Sequence, residues 1–525
     1  LWHAKKLKSN GRKPVLVIFY WGIPMIRRDF CKTSLALAGL ALGKGPAEAL
    51  ASPSEASPAE ELAKAPGLTK YVSEFIVNTK YEDIPENVIA IGKKTMLDGF
   101  GLALAGSAST AGPRIRQYIE SLGPCGGGGG ASIIGTKMKV HPRFAALANG
   151  ISIHADDYDD TGSAFHVASP VLPPSFALCE VGKRSGKDLM LAFHVGVEVG
   201  NKIGDAMSPR HQQDGYHTTG TIGTMGSAAA CAKLRGLDEA KTAIALAIAG
   251  SEASGLRDNF GSMTKPFHAG HAGESGTVAV DLAAIGWTAA SDILEAELGF
   301  FAVGGGFDPK FIVDRLGKPW MFASPGDLIK RFPCGTIQQQ VMDEMLRLIQ
   351  QNNIKAADVE KVEVAGNLSN YRTLFQHHPI TGLQGKFSME YAMAILLLDG
   401  KATLASFTDA VAQRSDMQDM IKRVRYYVDP EFNKLALQGA SLQAMLVEQS
   451  MLKIYMRNGK VISGRTEPAK GSPENPMTFE EVADKFRGNA EFLKWPSQKA
   501  ETVIELVKSL ETIPDMSRLT SSLAG

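Results

Sequence analysis

The sequence predicts a mostly α-helical fold in which a large, discontinuous all-helical domain is interrupted by a smaller α/β domain. Three observations carry this prediction. Apolar spacing is helical from Tyr71 to about Leu256, β-branched and aromatic runs enter only after residue 326, and a capping box at Thr478 and Glu481 returns the chain to helix near its end. The boundaries that follow are 68–325 and 468–515 for the helical domain and 326–467 for the α/β domain. A leader over 1–51 and a linker over 52–67 precede them, and a tail over 516–525 follows.

Composition narrows the function classes. At 525 residues, 44% hydrophobic and 21% charged, the chain carries enough apolar material for more than one core. Its 56 basic and 55 acidic side chains leave a net charge of +1, so nothing electrostatic favours nucleic acid or an anionic membrane as the partner. The five cysteines (Cys31, Cys125, Cys179, Cys231 and Cys334) show neither a CxxC pair nor metal-ligand spacing, and read as ordinary buried thiols.

The leader has its own logic. From Met25 the run MIRRDFCKTSLALAGLALGKGPAEALAS holds the arginine pair Arg27 and Arg28, a weakly apolar stretch from Leu35 to Leu42, and small residues at Ala47, Ala49 and Ala51. This is the pattern of a twin-arginine signal peptide, which predicts export of the folded protein to the periplasm or another extracytoplasmic space. The apolar stretch is too short to span the ~30 Å of a bilayer core, so no stable membrane anchor is expected. Residues 1–24 lie upstream of a plausible start at Met25 and are set aside.

In the helical part, Pro85 opens a segment whose apolar positions Val88, Ile89, Met96, Leu97, Phe100 and Leu104 share one wide face. The stretches 227–233 and 240–249 are nearly all small residues, as closely packed central helices require. In the α/β part, 359–365 and 423–428 read as strands, and Asn458-Gly459 between apolar runs signals a hairpin.

Familiar catalytic signatures are absent: there is no GxSxG elbow, Walker loop or HExxH. Gly126 to Gly130 reads as a loop. Gly220, Gly223 and Gly226 suit either an anion site or close backbone packing. The informative stretch is His154-Ala-Asp-Asp-Tyr-Asp-Asp-Thr161, followed by His166. Four carboxylates in five positions are costly to bury, which leaves three readings: a solvated loop, a calcium or magnesium site, and a proton-transfer site. The spacing lacks the glycine and terminal glutamate of an EF-hand, and the nearby histidines favour proton chemistry. His217, Arg257, Asn259, Lys265, His268 and Lys330 add cations for substrate carboxylates and titratable imidazoles.

These residues carry a resemblance. The segments AALANGISIHADDYDDT, GTIGTMGSAAACAKLRGLD, GLRDNFGSMTKPFHAGHA, DILEAELGFF, FSMEYAMAILLLDG and GSPENPMTFEEVADKFRGNAE are similar, in order, to the MmgE/PrpD family, from about residue 68 to about 515. That family includes 2-methylcitrate dehydratase, cis-aconitate decarboxylase and iminodisuccinate epimerase. The resemblance implies a discontinuous helical domain, an α/β lid and a homodimer; because the sequence shows no metal-ligand constellation or dinucleotide fingerprint, chemistry that needs no metal or cofactor is expected. Carried over residue by residue, it implies a site of Asp157, Thr161, His166, His217, Lys265, Lys330 and Tyr371. Between Thr161 and His166 this chain is one residue shorter than the decarboxylase branch. Where that branch has a histidine two residues after the proline of KRFP, this chain has Gly335.

The mechanism expected from these residues is proton abstraction alpha to a carboxylate of a small di- or tricarboxylate hydroxy acid, citrate-like or 2-methylcitrate-like, making the protein a carbon-oxygen hydro-lyase. His166 and His217 are the acid and base in either order, Asp157 orients an imidazole or tunes its pKa, Thr161 bonds the substrate, and Lys265, Lys330 and Arg257 hold its carboxylates. Epimerisation of an iminodisuccinate-like dicarboxylate, cis-aconitate-type decarboxylation and non-catalytic carboxylate binding are the alternatives.

Overall fold

The computed structural model describes residues 67–123, 130–436 and 449–525, together with a two-residue ribbon pairing Phe19–Tyr20 with Ile23–Pro24 in the separate unit Leu1–Ala56. The proposed signal peptide and the glycines from Gly126 to Gly129 lie outside the described residues.

The helical region is built from α1 (Glu86–Ser107), α2 (Pro142–His154), α3 (Ala168–Val181), α4 (Gly186–Ala206), α5 (Thr218–Arg235) and α6 (Thr264–Ala284), and it is completed by α7 (Phe479–Phe492). One apolar core collects residues from Leu68 to Ile329 and again from Met477 to Leu523. The chain therefore leaves this core and returns to it. Pro85 is the N-cap of α1, and Val88, Met96, Leu97, Phe100 and Leu104 are all buried, as the spacing predicts. Thr478 and Glu481 exchange backbone and side-chain hydrogen bonds of 2.8 and 3.2 Å at the start of α7, which is the capping box.

Small residues set the helix spacing. A Cβ added to Gly196 of α4 would meet the Gly226 carbonyl oxygen at 2.6 Å, and one added to Gly150 of α2 would meet the Gly270 Cα of α6 at 2.7 Å. Backbones so close leave no room for side chains. Gly220, Gly223 and Gly226 lie inside α5, each with a neighbour within 2.8 Å of the position a Cβ would take, so close packing accounts for them.

The second core runs from Phe332 to Ile462. It packs on a four-stranded sheet of β1 (Val359–Gly366), β2 (Val424–Val428), β3 (Met451–Met456) and β4 (Val461–Arg465), in the order β2-β1-β3-β4. β1 and β2 are parallel, which forces the helical crossover between them; the other pairs are antiparallel. Asn458-Gly459 turns β3 into β4, with Gly459 at φ 84°, a left-handed conformation that glycine adopts without strain. The fold is thus mostly helical with a small α/β lid. Cys179, Cys231 and Cys334 are buried free thiols.

Candidate active site

The acidic motif is the loop that leaves the C-terminal end of α2. His154 is the last residue of that helix, and Asp157 then adopts φ 49°, a left-handed conformation uncommon outside glycine, which turns successive carboxylates in different directions. Thr161 and Leu328 exchange backbone hydrogen bonds of 2.8 and 3.0 Å, pinning the end of the loop beside the segment that leads into the lid.

Four lysines from distant parts of the chain meet this loop. Lys265, on the first turn of α6, donates to Asp157 Oδ1 and lies 3.0 Å from His154 Nε2. Lys330, entirely buried, donates to the Asp157 carbonyl at 2.9 Å and to Asp157 Oδ1 at 3.2 Å. Lys386 of the lid donates to the Asp156 carbonyl at 2.7 Å and to Asp156 Oδ1 at 3.2 Å. Lys485 of α7 pairs with Asp98 and donates to the carbonyls of Tyr158 and Lys330 at 2.8 and 2.9 Å. Both domains are therefore fastened to this one loop.

Beside the lysines lies a row of imidazoles. The His154 ring is 4.8 Å from His166 and 5.7 Å from His217, and His217 Nδ1 is 3.1 Å from His268 Nδ1. Asp159, fully buried, sits 2.8 and 3.0 Å from His154 Nδ1, so that nitrogen carries the proton while Nε2 accepts from Lys265. His166 Nδ1 donates to the Asp160 carbonyl, and 14% of its side chain remains exposed. Thr161 Oγ1 lies 3.4 Å from His166 Nδ1 and 2.9 Å from Thr336 Oγ1 of the lid. Phe260 and Phe387, one from each domain with centroids 5.6 Å apart, both face the Lys265 ammonium.

The MmgE/PrpD N-terminal domain model matches residues 70–311 and the C-terminal domain model matches residues 332–512. The chain belongs to the MmgE/PrpD family. It is 28% identical over 474 residues to human cis-aconitate decarboxylase, covering 87% of this chain and 95% of the relative. It is 27% identical over 471 residues to the mouse cis-aconitate decarboxylase, covering 87% and 93%. The identity to the Aspergillus terreus cis-aconitate decarboxylase is 29% over 482 residues, covering 86% and 95%.

Electrostatics keep the imidazoles of this MmgE/PrpD protein neutral. Burial, reinforced by neighbouring cations and rings, lowers His154 and His217, brings His166 down to about 3 and brings His268 to about 4. Burial alone would raise Asp157, but Lys265 and Lys330 hold it well below the usual carboxylate range. Asp159 is likewise lowered against its burial by His154 and His166. Asp160 differs. Burial, with Asp327 and Asp159 nearby, raises it, and its two oxygens accept the Val167 and Ala168 amides at 2.7 and 3.0 Å, so it caps α3 and is structural.

One group in this MmgE/PrpD site has the geometry for a metal: ligand atoms of His154, Asp159 and His166 lie within 4.8 Å of one another. Its chemistry fits a cation poorly. Both Nδ1 atoms already donate to oxygens, and the buried Lys265 ammonium lies 3.0 Å from His154 Nε2.

The sequence-assigned residues divide by position. Asp157, Thr161, His166, His217, Lys265 and Lys330 converge. Asp157, expected to orient an imidazole or tune its pKa, joins two lysines and acts to raise His154 against its burial, while Asp159 orients His154. Arg257 sits at the edge of the cluster, donating to the Gln212 carbonyl at 3.0 Å and to Thr373 Oγ1 of the lid at 2.9 Å. Tyr371 packs on the lid core, with its ring 4.8 Å from His377 and 5.4 Å from Tyr426. His154, Asp159, Lys386 and Thr336 were not singled out by sequence reasoning. The first two stand inside the quoted motif; only three-dimensional contact marks the others.

Proposed function

We propose that the protein is a lyase that acts on a small di- or tricarboxylate by removing a proton alpha to a carboxylate, and that the group it expels is water from a citrate-like or 2-methylcitrate-like hydroxy acid. The observation that carries this reading is the set of neutral, buried imidazoles placed directly beside two buried ammonium groups. Neutral imidazole accepts a proton, whereas decarboxylation begins with departure of carbon dioxide and needs a donor for the resulting carbanion. His166, with part of its ring open, is the base. A substrate carboxylate next to it raises its pKa toward neutrality. Lys265 and Lys330 stabilise the charge that builds on the substrate carboxylate. Lys265, lowered by burial, is the acid that protonates the departing hydroxyl.

A second reading, decarboxylation of cis-aconitate, is favoured by the names of the relatives. Against it stands Gly335, which leaves this chain without the proton-carrying histidine that the decarboxylase branch has at that position.

Incubation with citrate, 2-methylcitrate, cis-aconitate, malate and iminodisuccinate in deuterated solvent, followed by NMR, separates the outcomes. Alkene formation from a hydroxy acid is expected. Carbon dioxide release from cis-aconitate alone would transfer the protein to the second reading. Solvent exchange at the alpha carbon with no elimination would make it an epimerase, and binding with no turnover a receptor.

We also propose that the protein is exported by the twin-arginine route and acts as a homodimer. Replacing Arg27 and Arg28 by lysine is expected to retain it in the cytoplasm, and sedimentation of the mature protein tests the dimer.

A further inference from the structure

We propose that the Asp157 carboxylate is a placeholder that occupies the seat of a substrate carboxylate between Lys265 and Lys330 and is displaced when substrate binds. The inference rests on the carboxylate-substrate reading above and adds how the seat is kept when empty of ligand.

Three independent features point this way. Asp157 Oδ1 bridges both ammonium groups, which is the arrangement a bound carboxylate oxygen would take. Asp157 Oδ2 is buried without a hydrogen-bond partner among the described residues, so the carboxylate is held by one oxygen only. The backbone at Asp157 is left-handed, a conformation that persists in a non-glycine residue only when its surroundings impose it.

The two cations are also anchored independently of that oxygen. Lys265 Nζ lies 3.0 Å from His154 Nε2 and faces the rings of Phe260 and Phe387, while Lys330 Nζ holds the Asp157 carbonyl at 2.9 Å. Both ammonium groups therefore stay in place when the Oδ1 contacts break. With Asp157 seated, a second carboxylate entering here would meet a negative charge; with Asp157 withdrawn, it meets two positive ones.

The test is calorimetric titration of malonate and citrate into the wild type, Asp157→Asn and Asp157→Gly. Asparagine tolerates positive φ and glycine favours it, so the pair guards against loss of folding in either one. Both variants are expected to bind at least ~10-fold more tightly than the wild type, because a like charge has been removed from the seat. Each anion should also raise the variants' melting temperature more than the wild type's. Weaker or unchanged binding by the variants, with wild-type binding intact, would overturn the placeholder and leave the carboxylate reading standing. Absence of binding in all three proteins would overturn both.

Discussion

Lys265 Nζ and His154 Nε2 lie 3.0 Å apart, and the other nitrogen of that ring is fixed by Asp159. The ammonium therefore points at a lone pair that cannot turn away, and the protonation states of both groups are tied together. Substitutions at one end of this relay are expected to be felt at the other.

Lys330 gives the sharpest contrast between buried and exposed lysines. Lys330→Met is expected to lower kcat/KM by at least ~100-fold, about 2.7 kcal/mol of transition-state stabilisation. Because the side chain is 0% exposed and paired with Asp157, the melting temperature should fall as well. Lys310→Ala should do almost nothing, since Lys310 is 71% exposed and its contacts, to Asp308 and the Phe311 ring, lie at the surface. Steady-state kinetics and thermal melts of the two variants check this; equal small effects would remove Lys330 from the site.

The pH profile follows from His166. In the proposed mechanism its neutral form is the base, present above its folded pKa of about 3 and lost only as pH falls through that value. The acidic limb of kcat/KM, which reports the free enzyme, should therefore lie well below the ~6.5 of an unperturbed imidazole. An inflection at 6.5 would mean that the base is a solvent-exposed histidine instead.

Activity is expected to survive exhaustive treatment with EDTA, because the two ammonium groups already supply the positive charge that an enolate requires. Loss of activity that returned only on adding a divalent cation would assign His154, Asp159 and His166 to a metal.

Asp327 predicts a stability trend. Burial pushes its carboxyl up to about 7, with the Thr95 hydroxyl opposing and Asp98 reinforcing the shift. A raised folded pKa stabilises the protein fully below the ordinary carboxylate range, and that stability is lost as pH rises through about 7. Asp327→Asn cannot ionise, so its melting temperature relative to wild type should be more favourable at pH 8 than at pH 5. An offset that does not change with pH would show that Asp327 is not the titrating group.

Much of the fold was legible because its determinants are local. The Pro85 start, the Thr478-Glu481 box and the Asn458-Gly459 turn each rest on a few adjacent residues, and each stands where expected. The site was legible where one peptide concentrates it. Which carboxylate does what was not, because residues 155–160 follow no repeating geometry and the left-handed turn at Asp157 decides the direction of each side chain. Lys386 lies 230 positions from its partner Asp156, and nothing near it in sequence distinguishes it from a solvated lysine. Arg257 and Tyr371 show the converse: their motifs are in place, but their polar and ring contacts go to the lid and the domain edge.

Lys485 has a bearing on how the protein is made. It is contributed by α7, late in the chain, yet it clasps the carbonyls of Tyr158 and Lys330, which are synthesised 327 and 155 residues earlier. During translation those segments must wait, incompletely tied, until α7 emerges from the ribosome. Fragments that stop short of it would lack this clasp and leave the loop's carbonyls without their ammonium partner.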